Sequence, residues 1–253
     1  MPCRRLRLPL LLACAGCGSL FAAPAAAEGI TEYTAAYEAH YNGRHAANAE
    51  FRVAAGPDGS YEFSSTTAAR GLYRLAAPRP VVERSRFELS NSRILPSRFE
   101  YEDGSRKGED NYSIDFDAVA GEVRITGPAA SRRLAHEAGL LDRGSLQVAL
   151  MLDLAACRRP GPYRYVDDDG IRTYDYERLA DDSADTGIGQ LATVRFAQQR
   201  AGSSRRTIIW FASDYAYVPV RIEQIEDGEA ETDFILERLE GVERAEPACS
   251  DFR

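Results

Sequence analysis

Five times in this chain an Asx-Gly pair stands between two runs in which apolar and polar residues alternate. The pairs are Asn42-Gly43, Asp58-Gly59, Asp103-Gly104, Asp169-Gly170 and Asp227-Gly228. Both residues of such a pair tolerate positive φ, which the tight turns that match strand twist require. The flanking runs have the two-residue period of strands with one buried face. Tyr33, Ala35, Tyr37, Ala39 and Tyr41 share one side of the first run, and Phe51 and Val53 oppose Glu50 and Arg52 in the second. Phe99 and Tyr101 lead into the third turn, and Tyr112, Ile114 and Phe116 leave it. The pattern predicts an antiparallel meander of hairpins. One face is apolar and the other carries Arg, Glu, Ser and Thr, so the sheet is expected to be packed on one side only. Such a sheet must close on itself, pack on a second sheet, or curl around a helix.

One stretch departs from the alternation. "LLDRGSLQVALMLDLAACRRPG", residues 140–161, holds Leu146, Val148, Leu150, Met151, Leu152 and Leu154, with Gln147 and Asp153 as its polar interruptions. A helix apolar nearly all round is a buried helix. The pattern predicts one over about 143–157, with Asp142 or Ser145 capping its N-terminus. Arg158 and Arg159 suit the negative C-terminal end, and Pro160-Gly161 stops it. About a dozen residues give ~18 Å, too short to span a bilayer. A second exception is "RRTIIWFAS", in which Ile208, Ile209, Trp210 and Phe211 follow one another. Both faces of that strand are apolar, so it should be central and covered on both sides. The expected fold is mainly β: a single antiparallel curved sheet or unclosed β-barrel wrapped around one buried α-helix. The helix is expected to lie against the Ile208–Phe211 strand. Leu146, Leu150, Met151, Leu154, Ile208 and Trp210 are then the candidate groove and helix-packing residues.

The N-terminus bounds the compartment. Arg4, Arg5 and Arg7 precede an apolar run, and Ala25 to Ala27 offer a small-residue cleavage site. This is the pattern of a secretory signal peptide over residues 1–27. Lipidation at Cys14, after "LLA", is the minor alternative, although it leaves a short apolar core. Residues 28–253 then form a single β-rich domain with a C-terminal tail over 241–253. Cleavage removes three arginines, leaving 28 basic and 39 acidic residues and a formal net charge of −11. That balance argues against nucleic acid and anionic lipid as partners. No transmembrane span is expected in the mature chain. Two cysteines remain, Cys157 and Cys249. An oxidising compartment permits a disulfide between them, and two free thiols are the alternative.

Catalytic motifs are absent. His40, His45 and His136 have no metal-pair spacing, and the two cysteines form no C-x-x-C. The acidic runs "VDDDGI" and "ADDSADTG" lack the spacing of a calcium loop, and the second lies in the most loop-like segment, residues 178–189. No nucleophile elbow, dinucleotide fingerprint or P-loop occurs. Glu100 and Glu102 share the polar face of a strand, as a glycosidase pair would, but nearly every strand carries such residues, so neither they nor Asp115 and Asp142 single out an acid–base pair for an envelope hydrolase. No cofactor is expected. The 13 tyrosines are mostly on apolar faces, where they fill a core or line an amphiphile groove.

Several of these pieces occur together in a known order: the Tyr-rich first hairpin, "ARGLYRLAAP", "SRFELSNSRILPSRFEYE", the Asp142-x-x-Ser145 helix start, and "IWFASDYAYVPVRIEQIEDG". In this the chain resembles the DUF3108 family of exported bacterial proteins over roughly residues 33–240. The resemblance implies export to the Gram-negative envelope and a mostly antiparallel β fold, and brings no reaction and no catalytic residues. Two functions are expected from the whole. One is a periplasmic, non-enzymatic binding or carrier module for an apolar or amphiphilic ligand such as a lipid. The other is a structural or protein-interaction component of the envelope with a filled barrel. A cavity of ~300 Å³ or more between helix and sheet separates the two.

Overall fold

The computed structural model describes residues 29–128, 131–200, 202–247, 249 and 252. The signal-peptide segment 1–27 and Cys14 lie outside the described residues. The first half of the fold is a run of hairpins: β1 (Tyr33–Tyr41), β2 (Arg44–Ala55), β3 (Tyr61–Ala69), β4 (Val81–Ser90), β5 (Arg93–Glu102), β6 (Tyr112–Asp117), β7 (Glu122–Thr126) and β8 (Ser131–Ala135). A two-residue strand, β9 (Leu140–Leu141), leads into the helix α1 (Arg143–Ala155). The second half contains β10 (Tyr163–Asp167), β11 (Gly170–Arg178), β12 (Asp182–Thr186), β13 (Gly189–Gln199), β14 (Arg206–Ala212), β15 (Val218–Glu226) and β16 (Glu229–Glu240).

All these strands belong to one sheet in the order β8-β7-β6-β5-β4-β3-β2-β1-β16-β15-β14-β13-β11-β10-β9, with β12 beside β13. Every pairing is antiparallel except β9 with β10. The two halves join where β1 pairs with β16, and Tyr37 fastens that joint further by donating its buried hydroxyl to the Pro219 carbonyl at 2.7 Å. The sheet rolls up without closing. Its β9–β10 end lies on the inner face of the β5–β7 end, where Leu140 and Val166 pack with Phe99, Ile114, Val123 and Ile125. Arg132 of β8 donates to the Asp169 carbonyl across the same overlap, at 2.9 Å. The fold is thus an unclosed barrel, mainly β, around a single helix.

The turns obey the chemistry of their residues. Asn42-Gly43 and Asp227-Gly228 have positive φ at both positions, as tight hairpin turns require. Asn91-Ser92 does the same between β4 and β5 without a glycine. The Asp169-Gly170 turn falls one residue earlier than expected, because Gly170 already pairs with Asp167. Asp103-Gly104 opens a longer loop, in which the Asp103 carboxylate accepts from the backbone of Ser105 and Asp110. The "ADDSADTG" segment is a strand, not a loop: β12 pairs with β13 and lies across β15 and β16. The Gly187 N–H bonds the Leu236 carbonyl at 2.7 Å, and a Cβ at Gly187 would sit 2.7 Å from the Glu237 backbone.

The helix is held at both ends. Asp142 accepts from the N–H groups of Gly144 and Ser145, and Ser145 Oγ accepts from the Asp142 N–H, all at 2.9 Å. This reciprocal box satisfies the donors that a helix start leaves free. The C-terminal stop comes at Cys157, not at Pro160. Cys157 adopts positive φ, and the Arg158 N–H reaches back to the Asp153 carbonyl at 2.8 Å. Leu146, Leu150, Met151 and Leu154 are all buried. They do not face the β14 strand as expected, because α1 packs chiefly on β3, β4, β5 and β10. Ile208 and Trp210 alternate away from the cavity-lining Ile209, onto the outer face of the sheet. There Trp210 is covered by the guanidinium groups of Arg195 and Arg221, at 5.7 and 4.8 Å from its ring. Cation–π stacking and the overlying β12 explain why a strand without a helix on it is apolar on both faces.

Candidate functional site

The helix does not fill the barrel. Its C-terminal half occupies one end together with the tail, which the Cys157–Cys249 disulfide ties to the end of α1. Phe252 packs there edge-on to Phe196 and Tyr217. Above the first turn of α1 the other end is open, and a cavity of about 650 Å³ lies between helix and sheet. Leu146 and Gln147 form its helix side. Of the six residues expected in a groove, Leu146 alone lines this cavity; Leu150, Met151 and Leu154 lie in the core below it.

The lining changes character with depth. Inward positions on β15 read Ile222, Gln224, Glu226 towards the mouth; those on β3 read Phe63, Ser65, Thr67. Ile209 lies deeper than Thr207 on β14, and Phe51 and Phe234 complete the apolar floor. The mouth carries ion pairs: Arg143 with Glu83 at 2.6 Å, Arg205 with Glu226 at 2.6 Å, and Arg172 with Asp167. Arg143 and Glu83 are 60 residues apart and Arg205 and Glu226 are 21 apart, while Arg172 and Asp167 share one hairpin, and nothing in the local pattern had marked the three as one ring. A readable sign was present nonetheless: the inward face of β3 and β15 turns polar before the strand ends.

Arg143 stands at the first turn of α1, on the helix side of the mouth. Its guanidinium stands 5.7 Å over the Tyr101 ring and its side chain is 48 % accessible, although Glu83 and the tyrosines of β5, β6 and β10 surround it. The buried Tyr112 hydroxyl beside this group has no hydrogen-bond partner among the described residues. The arrangement offers cationic and neutral donors at the mouth and aromatic and aliphatic surface beneath.

Asp142, by contrast, is spent on the fold. It is fully buried, accepts a hydrogen bond from the Ser85 hydroxyl at 2.9 Å, and faces β4 instead of the cavity. Burial pushes its carboxyl up to about 6, against the lowering pull of the hydrogen bonds from Ser145, Ser85 and Gly144. Gly144 is required beside it, since a Cβ there would meet Ser85 at 2.6 Å and Phe63 at 2.7 Å. Glu100 and Asp115 both pair with Arg98, and Glu102 pairs with Arg84. These pairs share the outer face, away from the cavity. Among the described residues no group of three His, Cys, Asp or Glu side chains is placed to hold a metal ion. No helix among them is long and apolar enough to cross a membrane.

An unclosed antiparallel barrel with one internal helix and one open end defines the class of the protein. The chain belongs to the DUF3108 family, proteins of unknown function, whose model matches residues 36–235. No curated protein matches it. Among solved structures it is similar to a beta-barrel-like protein of the domain of unknown function DUF1849 from Brucella abortus. That pair shares 10% identity over 85% of this chain and 98% of the other, with a TM-score of 0.48. A protein with a YmcC-like fold from Bacteroides fragilis aligns with 82% of this chain and 95% of its own, at 12% identity and a TM-score of 0.38.

Proposed function

We propose that the protein is a non-enzymatic binding or carrier module of the cell envelope, which holds an amphiphilic ligand in the cavity above α1. The observation that carries this reading is the cavity itself: about 650 Å³, apolar at its floor and ringed by arginine–carboxylate pairs at its mouth. Its size lies within the ~300–1,000 Å³ of small-ligand sites, and although polar side chains outnumber apolar ones in its walls, the open volume supports a carrier over a filled structural barrel. The acyl or other apolar part of the ligand lies against Phe51, Phe63, Leu146, Ile209 and Phe234. Its polar head stays at the level of Arg143 and Arg205. The signal-like N-terminus supports an envelope location.

The test is native mass spectrometry of gently purified protein, with lipid extraction alongside, and titration with a fluorescent fatty acid. A bound amphiphile and saturable uptake are expected. Leu146→Trp fills the space beside the helix and is expected to weaken uptake about tenfold or more while the fold is kept, a methylene in an apolar site being worth ~0.8 kcal/mol. Arg143→Gln is expected to weaken anionic more than neutral amphiphiles by about tenfold, the usual worth of a charge-assisted hydrogen bond. Absence of any co-purified amphiphile together with no uptake would refute the reading.

A further inference from the structure

The connection from β3 to β4 rises from the rim of the cavity, since Thr67 and Val81 pair with each other and both line it. It carries a 3-10 turn, Gly71–Leu75. Residues three apart in such a turn eclipse one another, so Leu72 and Leu75 project on the same side. They are 83 % and 85 % exposed. Tyr73, between them, points back and sets its ring edge-on to Tyr41 at 6.3 Å. The N–H groups of Ala76 and Ala77 both bond the Tyr73 carbonyl, and the Arg79 N–H bonds Gly104. The two leucines are therefore held outward by a seated base.

Their own segment has the opposite charge to the chain as a whole, although Glu231 stands at the Tyr41 hydroxyl behind Tyr73. Arg70, Arg74 and Arg79 flank them, and no Asp or Glu occurs between residues 63 and 82 in a protein with 39 acidic residues. All three arginines are exposed. Net charge argued against an anionic lipid partner, but screening reduces distant charges beyond about 10 Å at 0.1 M salt, so the local charge decides.

We propose that the Gly71–Leu75 turn is a membrane-contact element, in which Leu72 and Leu75 enter the interface of an anionic bilayer and Arg70, Arg74 and Arg79 meet its headgroups. Apolar residues beside arginines are the chemistry of interfacial binding, and each basic residue near an anionic leaflet strengthens it. Two leucines on one turn offer far less than the ~800 Å² per partner of a stable protein interface, but they suffice for weak, reversible seating on lipid. The contact would set the mouth of the cavity against the bilayer. It rests on the turn alone and holds whether or not the cavity is filled.

The experiment is co-sedimentation of the purified protein with vesicles of phosphatidylglycerol and phosphatidylethanolamine, at low and high salt, against vesicles of phosphatidylcholine. Binding to the anionic vesicles, weakened by salt, is expected. The double variant L72S/L75S should lower partitioning about tenfold or more, and Arg74→Glu should lower it on anionic vesicles alone. Both changes are at exposed positions, and circular dichroism checks that the fold is kept. Val119→Ser, at a fully exposed valine on the β6–β7 turn at the far end of the barrel, should bind as the wild type does. No binding to anionic vesicles, or equal binding by wild type and L72S/L75S, would overturn the proposal and leave the leucines to a protein partner.

Discussion

Asp142→Ala is expected to destabilise the fold by about 3–5 kcal/mol, although Asp142 touches no ligand space. The cap, which is the pair of bonds to the Gly144 and Ser145 N–H groups, is worth up to ~2 kcal/mol. The rest comes from the Ser85 hydroxyl, which would be left buried without an acceptor at ~1–3 kcal/mol. Asp142→Asn keeps an acceptor for both N–H groups and separates hydrogen bonding from charge. The folded carboxyl titrates at about 6, above the ordinary 3.8, because it is buried. The folded state therefore holds this proton more tightly than the unfolded state does. The contribution of Asp142 is most favourable below about pH 4, declines as the pH rises to about 6, and is flat above that. Relative to the wild type, Asp142→Asn should gain about 2 kcal/mol between about pH 4.5 and pH 7.5. Urea melts of the three proteins measure both effects. An Asp142→Ala variant within ~1 kcal/mol of the wild type would remove the cap from its central place.

Cys249→Ser is expected to cost about 3 kcal/mol, since the bridge to Cys157 closes a segment of 92 residues and so restricts the unfolded chain. The loss should also loosen the tail, whose other ties include the Arg244 ion pair with Asp214 at 2.7 Å, the Ala245 N–H bond to the Asp214 carbonyl at 2.8 Å and the packing of Phe252 on Phe196 and Tyr217. Two readouts follow. Urea stability should fall equally in Cys249→Ser and in the double variant with Cys157→Ser, and a protease should cut the freed tail first. Equal stability of oxidised and reduced wild type would contradict this.

How far the fold could be read from the chain depended on how local its causes were. Asn42-Gly43 and Asp227-Gly228 announce their turns because two adjacent residues supply the backbone freedom. Asn91-Ser92 makes an equivalent turn that no glycine advertises, and "ADDSADTG" is a strand because β13 offers it a partner, not because its own residues favour one. The helix was legible in its apolar run and in the Asp142–Ser145 box. Its neighbours were not, since the choice between β14 and the β3–β5 face is made by Gly144 meeting Ser85 and Phe63, which lie about 60 and 80 residues away along the chain. The cavity was the least readable part. Leu146 carried an apolar signal, but Arg143, Arg172 and Arg205 look like ordinary surface arginines until the sheet rolls them around one opening.

That roll has a mechanical consequence. In a closed barrel the girth is quantised, because widening it means slipping a strand by whole residues against its neighbour. Here the two ends of the sheet overlap through Leu140, Val166, Phe99 and Ile114, with no ladder of backbone bonds across the seam. Side chains can slide past one another by fractions of an ångström, so the hoop is adjustable in small increments. A hoop built like a cuff can change its girth with one and the same register.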